Sequence, residues 1–104
     1  MKVYISLPTD NKTSEELYNM QVKAIEESRP YLEHRLKPGE DIEYLDSIYT
    51  DIVRKNIFTL LECSLAELKK ADVVIMTPRC ESCGNSIIVH EMAVKWGIPI
   101  HYLN

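Results

Sequence analysis

Between Ala71 and Leu103 the chain runs ADVVIMTPRCESCGNSIIVHEMAVKWGIPIHYL, and no other stretch limits the possible folds as much. Val73 to Met76 is a short β-rich apolar run, followed by a loop dense in Pro, Gly, Asn and Ser. From about Ser86 to Trp96, Ile88, Met92 and Trp96, with Val89 and Ala93 beside them, recur at three- and four-residue steps, which predicts one helix with these residues on a shared face. Gly97 suits the position just past a helix end, and Ile98 to Leu103 returns to an extended apolar pattern. The unit is therefore strand, loop, helix, strand. Such a connection between parallel strands is right-handed, so the loop from Thr77 to Asn85 is expected at the carboxyl edge of the sheet, where open α/β folds bind ligands.

The amino-terminal third repeats the pattern. Lys2 to Ser6 (KVYIS) reads as a buried first strand that gives way to the turn-forming Leu7-Pro8-Thr9-Asp10-Asn11. Thr13-Ser14-Glu15-Glu16 has the form of a capping box, and Leu17, Met20, Ala24 and Ile25 continue at helical spacing. That helix is expected to end or kink at Pro30, with Tyr31 to Leu36 able to resume it. Ile42 to Leu45 is the remaining candidate strand. From Ser47 to Ala71 there is neither Pro nor Gly, which predicts one long helix, or two with a break near Cys63-Ser64. The order β-α-β-α-β-α-β predicts an α/β protein, a three-layer αβα sandwich of flavodoxin-like or Rossmann-like type on a parallel sheet of about four strands in spatial order 2-1-3-4.

Composition narrows the partners. With 104 residues, 45% of them hydrophobic, the chain is expected to be one domain with a modest core, supplemented by homo-oligomerisation. A net charge of -4 without a basic stripe argues against a nucleic-acid polymer, because neutralising phosphates needs clustered Lys and Arg. Met1 to Leu7 is too short for a signal peptide, and no apolar run approaches the about 20 residues of a membrane span, so no membrane partner is expected and the compartment is expected to be the cytoplasm. Three cysteines without a secretory signal fit a reducing environment.

Three segments, KVYISLPTD at the start, LAELKKADVVIMTPR in the middle and HEMAVKWGIPIHYL at the end, resemble the nucleoside 2-deoxyribosyltransferase-like superfamily, and within it a group of small proteins common in phages and mobile elements. The resemblance implies a flavodoxin-like fold with a nucleoside or nucleotide pocket at the strand edges. In active members the first strand runs into a Ser/Ala-Gly-Pro turn near the ribose. Here the turn is Ser6-Leu7-Pro8, with Leu7 in place of the glycine. Active members also carry a glutamate on the last helix that attacks the anomeric carbon, and the small branch often shows Glu-His-Glu ahead of Gly-Ile-Pro. Counting back from Gly97-Ile98-Pro99, the first Glu of that triplet is replaced by Val89, while His90 and Glu91 agree with it.

The candidate ligand-binding residues are therefore Ser6, Leu7, Pro8, Thr9 and Asp10 from the first loop, Thr77, Pro78, Arg79, Gly84, Asn85 and Ser86 from the second, and Val89 on the helix. Free amides at the helix start favour an anionic or strongly polar group, and Arg79 can pair with a phosphate; the alternative is an ordinary polar loop capped by Asn85 or Ser86. Glu91, with His90, is the catalytic candidate if the chain is active, although two residues along a helix turn Glu91 by about 200° from Val89. Glu81 and Asp10 are the other carboxylates in the loops, and Tyr4, Tyr44, Tyr49 and Tyr102 are candidates to stack on a base. The expected function is nucleoside or nucleotide binding with the usual catalytic glutamate lost. An active N-glycosyl transferase or hydrolase using Glu91 is the second reading. A thiol redox or zinc module built on Cys80-x-x-Cys83 is the third, but no second paired motif completes a metal site, so neither a metal nor a cofactor is expected.

Overall fold

The computed structural model describes residues 1–9, 12–78 and 84–103. Four strands, β1 (Lys2–Ser6), β2 (Glu43–Tyr44), β3 (Val73–Met76) and β4 (Ile100–Tyr102), form one all-parallel sheet in the order β2-β1-β3-β4. The helices are α1 (Ser14–Arg35), α2 (Asp51–Lys55), α3 (Ile57–Leu68) and α4 (Gly84–Lys95). The chain is thus an α/β protein with the strand order its sequence pattern predicts.

Strand alternation divides the core in two. Val3 and Ile5 of β1 and Val73 and Ile75 of β3 pack with Leu7 against Leu17, Ala24 and Leu32 of α1. Tyr4, Val74 and Met76 pack with Leu45 against Leu68 of α3 and Val89 and Ala93 of α4. This division is what a sheet covered on both faces produces. All four residues of β3 are buried, in keeping with a central strand that meets side chains above and below. At the amino edge, the Lys2 amide donates to the Asp72 carboxylate at 2.8 Å and the Asp72 amide returns a bond to the Lys2 carbonyl, so Asp72 locks β3 to β1.

Several boundaries differ from the expectation. The capping box of Thr13 and Glu16 starts α1 as predicted, but the helix does not end at Pro30 and runs on to Arg35. Pro30 is exposed, so its ring stands on the solvent side, and the packing of Leu32 and Tyr31 below it carries the helix past the one missing N–H bond. The break in the long helical segment lies at Asn56, not at Cys63-Ser64. Asn56 leaves helical geometry (φ -109°, ψ 105°) and its side-chain oxygen accepts from the amides of Phe58 and Thr59, the capping geometry that lets Asn interrupt a helical rhythm. Ser64 lies inside α3 and is fully buried. β2 is two residues rather than the expected four, and α4 begins at Gly84, so Asn85 and Ser86 lie within its first turn instead of capping it. The buried face of α4 is Asn85, Ser86, Val89 and Ala93, while Ile88 and Trp96 are substantially exposed, so Val89 and Ala93 hold as predicted and the centre of the face turns from the predicted one by about 40°, roughly an eighth of a turn. At Gly97 the chain takes φ 71°, a left-handed helix end as anticipated.

Candidate functional site

The carboxyl ends of β1 and β3 are neighbours, and two side chains tie the segments beyond them together. Thr77 donates through Oγ1 to the Ser6 carbonyl at 2.6 Å, and Ser86 donates through Oγ to the Leu7 carbonyl at 3.1 Å. Both bonds are buried, so the start of α4 is held directly against the end of β1. The two predicted loops therefore leave the sheet at one rim.

The bonds also redefine the residues that make them. Thr77 and Ser86, 4% and 0% exposed, spend their hydroxyl protons on backbone carbonyls and act as staples of the rim. Ser6, Leu7, Pro8 and Thr9 are buried as well. The Leu7 side chain enters the core on the α1 side. Pro78 and Gly84 are exposed. Asp10 and Arg79 lie outside the described residues, as do Cys80, Glu81 and Cys83.

The catalytic candidates on α4 turn different ways. Val89 is fully buried among Tyr4, Leu45, Leu68, Val74, Met76 and Ala93. Glu91 is exposed, as its rotation from Val89 requires. His90 is half-buried and bonds the Tyr102 hydroxyl through Nε2 at 2.5 Å, across from α4 to β4. No acidic or basic side chain is buried among the described residues.

Comparison with protein-family models, curated proteins and solved structures yields no match to this chain. The chemistry must therefore be read from its own side chains.

Sequence reasoning missed a buried polar chain beneath the rim. The buried Tyr4 hydroxyl meets Ser64 and Tyr49, and desolvation pushes its pKa above the ordinary value of 10.0 despite those two bonds. Burial also pushes Tyr49 well up, with the Tyr4 hydroxyl adding to the shift. Asn85 donates through Nδ2 to Ser64 Oγ at 3.1 Å, but its Oδ1 is buried with no hydrogen-bond partner among the described residues. Such an atom forfeits about 1–3 kcal/mol. A Tyr in the middle of an apolar strand and a Ser at the inward step of an apolar helix are the only sequence signals for this chain, and each alone is commonplace.

Cys80 and Cys83, on which the thiol and zinc reading rests, lie outside the described residues. No group of three His, Cys, Asp or Glu side chains among the described residues is placed to hold a metal ion. His101 stacks on Tyr31 with ring centroids 4.0 Å apart, and Arg35 lies over the same tyrosine at 5.6 Å. No helix among the described residues is long and apolar enough to cross a membrane.

Proposed function

We propose that the chain binds a nucleoside or nucleotide at the carboxyl rim between β1 and β3, without efficient N-glycosyl chemistry. The observation that carries this reading is topological. From β1 the chain crosses by α1 to β2 on one side, and from β2 it returns by α2 and α3 to β3 on the other side. Right-handed crossovers in opposite directions put their helices on opposite faces, and the crevice they leave at the carboxyl ends is where open α/β sheets bind ligands. The Ser86–Leu7 bond brings the amide-bearing start of α4 to that crevice. The choice of a nucleoside rests on the likeness of the first, middle and last segments of the chain to the transferase-like superfamily and is an analogy at the level of fold.

Val89 supports the non-catalytic form of the reading, because a branched hydrocarbon in a closed core offers no electron pair for attack on an anomeric carbon. Glu91, turned to solvent, favours the transferase reading no further. The proposal includes a homo-oligomer, supported by α4 being apolar outside as well as inside: Ile87 and Val94 are 45% and 58% exposed.

The test is thermal denaturation and calorimetry with deoxynucleosides and their 5′-monophosphates, with chromatography for released base. A ligand present at about 100 times its Kd stabilises by about 2.7 kcal/mol, a plainly measurable rise in Tm. Stabilisation without free base is the expected result. Base release that Glu91→Ala abolishes would replace this reading with the catalytic one, and no stabilisation by any nucleoside or nucleotide would end both.

A further inference from the structure

β4 is an outer strand of the sheet, and among the described residues nothing pairs with its free side. Its register on β3 determines which backbone groups that side presents. Val74 donates its amide to the Pro99 carbonyl and Met76 accepts from the Leu103 amide, so Pro99, His101 and Leu103 turn their backbone toward β3. The N–H and C=O groups of Ile100 and Tyr102 therefore point outward, a short open template for another strand.

Hydrogen bonds on two flanks of α4 show what stands beside that edge. Asn85 bonds Ser64 of α3 on one flank, and His90 bonds the Tyr102 hydroxyl on the other. Ile87 and Val94, three residues before His90 and four after it, share its flank and stand on the side away from α3. Both are exposed, as is Tyr102 at 57%. The open edge of β4 is thus bordered by a stripe of Ile87, His90 and Val94 that carries no carboxylate, Lys or Arg, with Glu91 and Lys95 exposed beside it.

We propose that a second copy of this chain docks on this wall: β4 pairs antiparallel with its counterpart about a twofold axis at His101, joining the two sheets into one, and α4 packs against the α4 of the second copy. The strand edge is complementary to itself. Centred on His101, Ile100 of each copy lies opposite Tyr102 of the other, and their outward N–H and C=O groups close hydrogen-bonded pairs on both sides of the axis. The helices come to the right distance. α4 packs on both β3 and β4, and strands lie about 4.8 Å apart, so a helix centred over that pair stands about 9.6 Å from its counterpart across the axis, inside the range of about 8–10 Å at which helices pack. A foreign strand could meet the same edge but would bring no matching helix at that distance. The charges agree as well, since antiparallel helices direct Glu91 of each copy toward Lys95 of the other. A wall about 18 Å long, the length of α4, and about 20 Å deep buries on the order of 800 Å² over the two copies, which suits a reversible dimer forming at about 100 μM rather than a permanent one. The inference rests on the homo-oligomer included in the reading above and adds which surfaces join; it makes no use of the ligand.

The experiment is sedimentation equilibrium of wild type, of the double variant Ile87→Lys with Val94→Lys, and of a control, Tyr18→Lys with Val22→Lys, whose exposed side chains lie on α1. Each variant is checked for an unchanged Tm. Wild type and control should pass from one chain to two between about 10 μM and about 1 mM, while the α4 variant stays monomeric throughout. His101→Cys reads the geometry directly: opposed residues at a non-hydrogen-bonded antiparallel position have Cα atoms about 4.5 Å apart, within disulfide reach, so mild oxidation should cross-link position 101 to position 101, located by peptide mass spectrometry. Wild type that stays monomeric at about 1 mM overturns the inference, as does a dimer that survives the α4 substitutions or that is lost in the α1 control. A His101→Cys variant that dimerises without the cross-link overturns the strand pairing. Ligand binding is read separately by Tm: a monomer stabilised by a nucleoside ends this inference alone, and a cross-linked dimer that no nucleoside or nucleotide stabilises ends the binding reading alone.

Discussion

Replacing Val89 with Glu puts a carboxylate at a fully buried position of α4, and the structure predicts a heavy cost in stability with no gain in chemistry. Val89 is 0% exposed and packed entirely by Tyr4, Leu45, Leu68, Val74, Met76 and Ala93. Even protonated, the new carboxyl loses hydrogen bonds to water that this site does not replace, about 1–3 kcal/mol. Ionisation adds to this. A Glu buried in apolar surroundings has its pKa raised, to about 8–9 in documented cases, against about 4.3 unfolded. Because the folded pKa is the higher one, this part of the penalty is absent below about pH 4.3 and grows by about 1.4 kcal/mol per pH unit above it, reaching about 4 kcal/mol at pH 7.5. The total at pH 7.5 is about 5–7 kcal/mol, as large as the whole stability of many domains of this size. Urea denaturation followed by circular dichroism at pH 5 and pH 7.5 measures it, with the wild type run alongside at both. Val89→Glu should be folded but weakened at pH 5 and largely unfolded at pH 7.5. A variant with wild-type midpoints at both pH values would mean that position 89 opens on water, and the argument that this site has been closed to chemistry would be wrong.

Thr77→Val keeps the shape and removes the 2.6 Å bond to the Ser6 carbonyl, which still accepts from the residue 77 amide, so it should lower the unfolding free energy by about 0.5–1.5 kcal/mol, read from the urea midpoint. Asn56→Ala deletes the cap that accepts from Phe58 and Thr59, with an expected loss of about 1 kcal/mol; a gain would mean that α2 and α3 prefer to merge into one helix. Pro30→Ala should stabilise by about 1–3 kcal/mol, because it restores an N–H donor in the interior of α1 at an exposed position, and a fall in Tm would refute that account. Tyr4 and Tyr49 both have raised pKa values from burial, so stability is intact below about pH 10 and should fall as pH rises beyond it. Absorbance titration should show these two tyrosines ionising together with unfolding, whereas a fully reversible phenol titration of the folded protein near pH 10 would contradict their burial.

Local pattern was enough for the parallel α/β class and the strand order, because alternating strand and helix signals with right-handed crossovers leave few topologies for a chain this short. It was enough as well for the Thr13–Glu16 cap, the Gly97 stop and the outward turn of Glu91, all of which depend on residues within one or two turns of each other. It failed where distant parts of the chain decide. Pro30 stays helical because Leu32 and Tyr31 are held by the sheet below them, and the long apolar rhythm breaks at Asn56 instead of Ser64 because Ser64 has Asn85 as a partner 21 residues away. The hydroxyls of Thr77 and Ser86 look like ligand contacts in sequence, but folding brings the Ser6 and Leu7 carbonyls to them from more than 70 positions away. Polar side chains carry no mark of the partner they will meet. Only tertiary packing determines which of them are used up inside the fold, as the Asn85 amide is on Ser64 and the Ser86 hydroxyl on the Leu7 carbonyl.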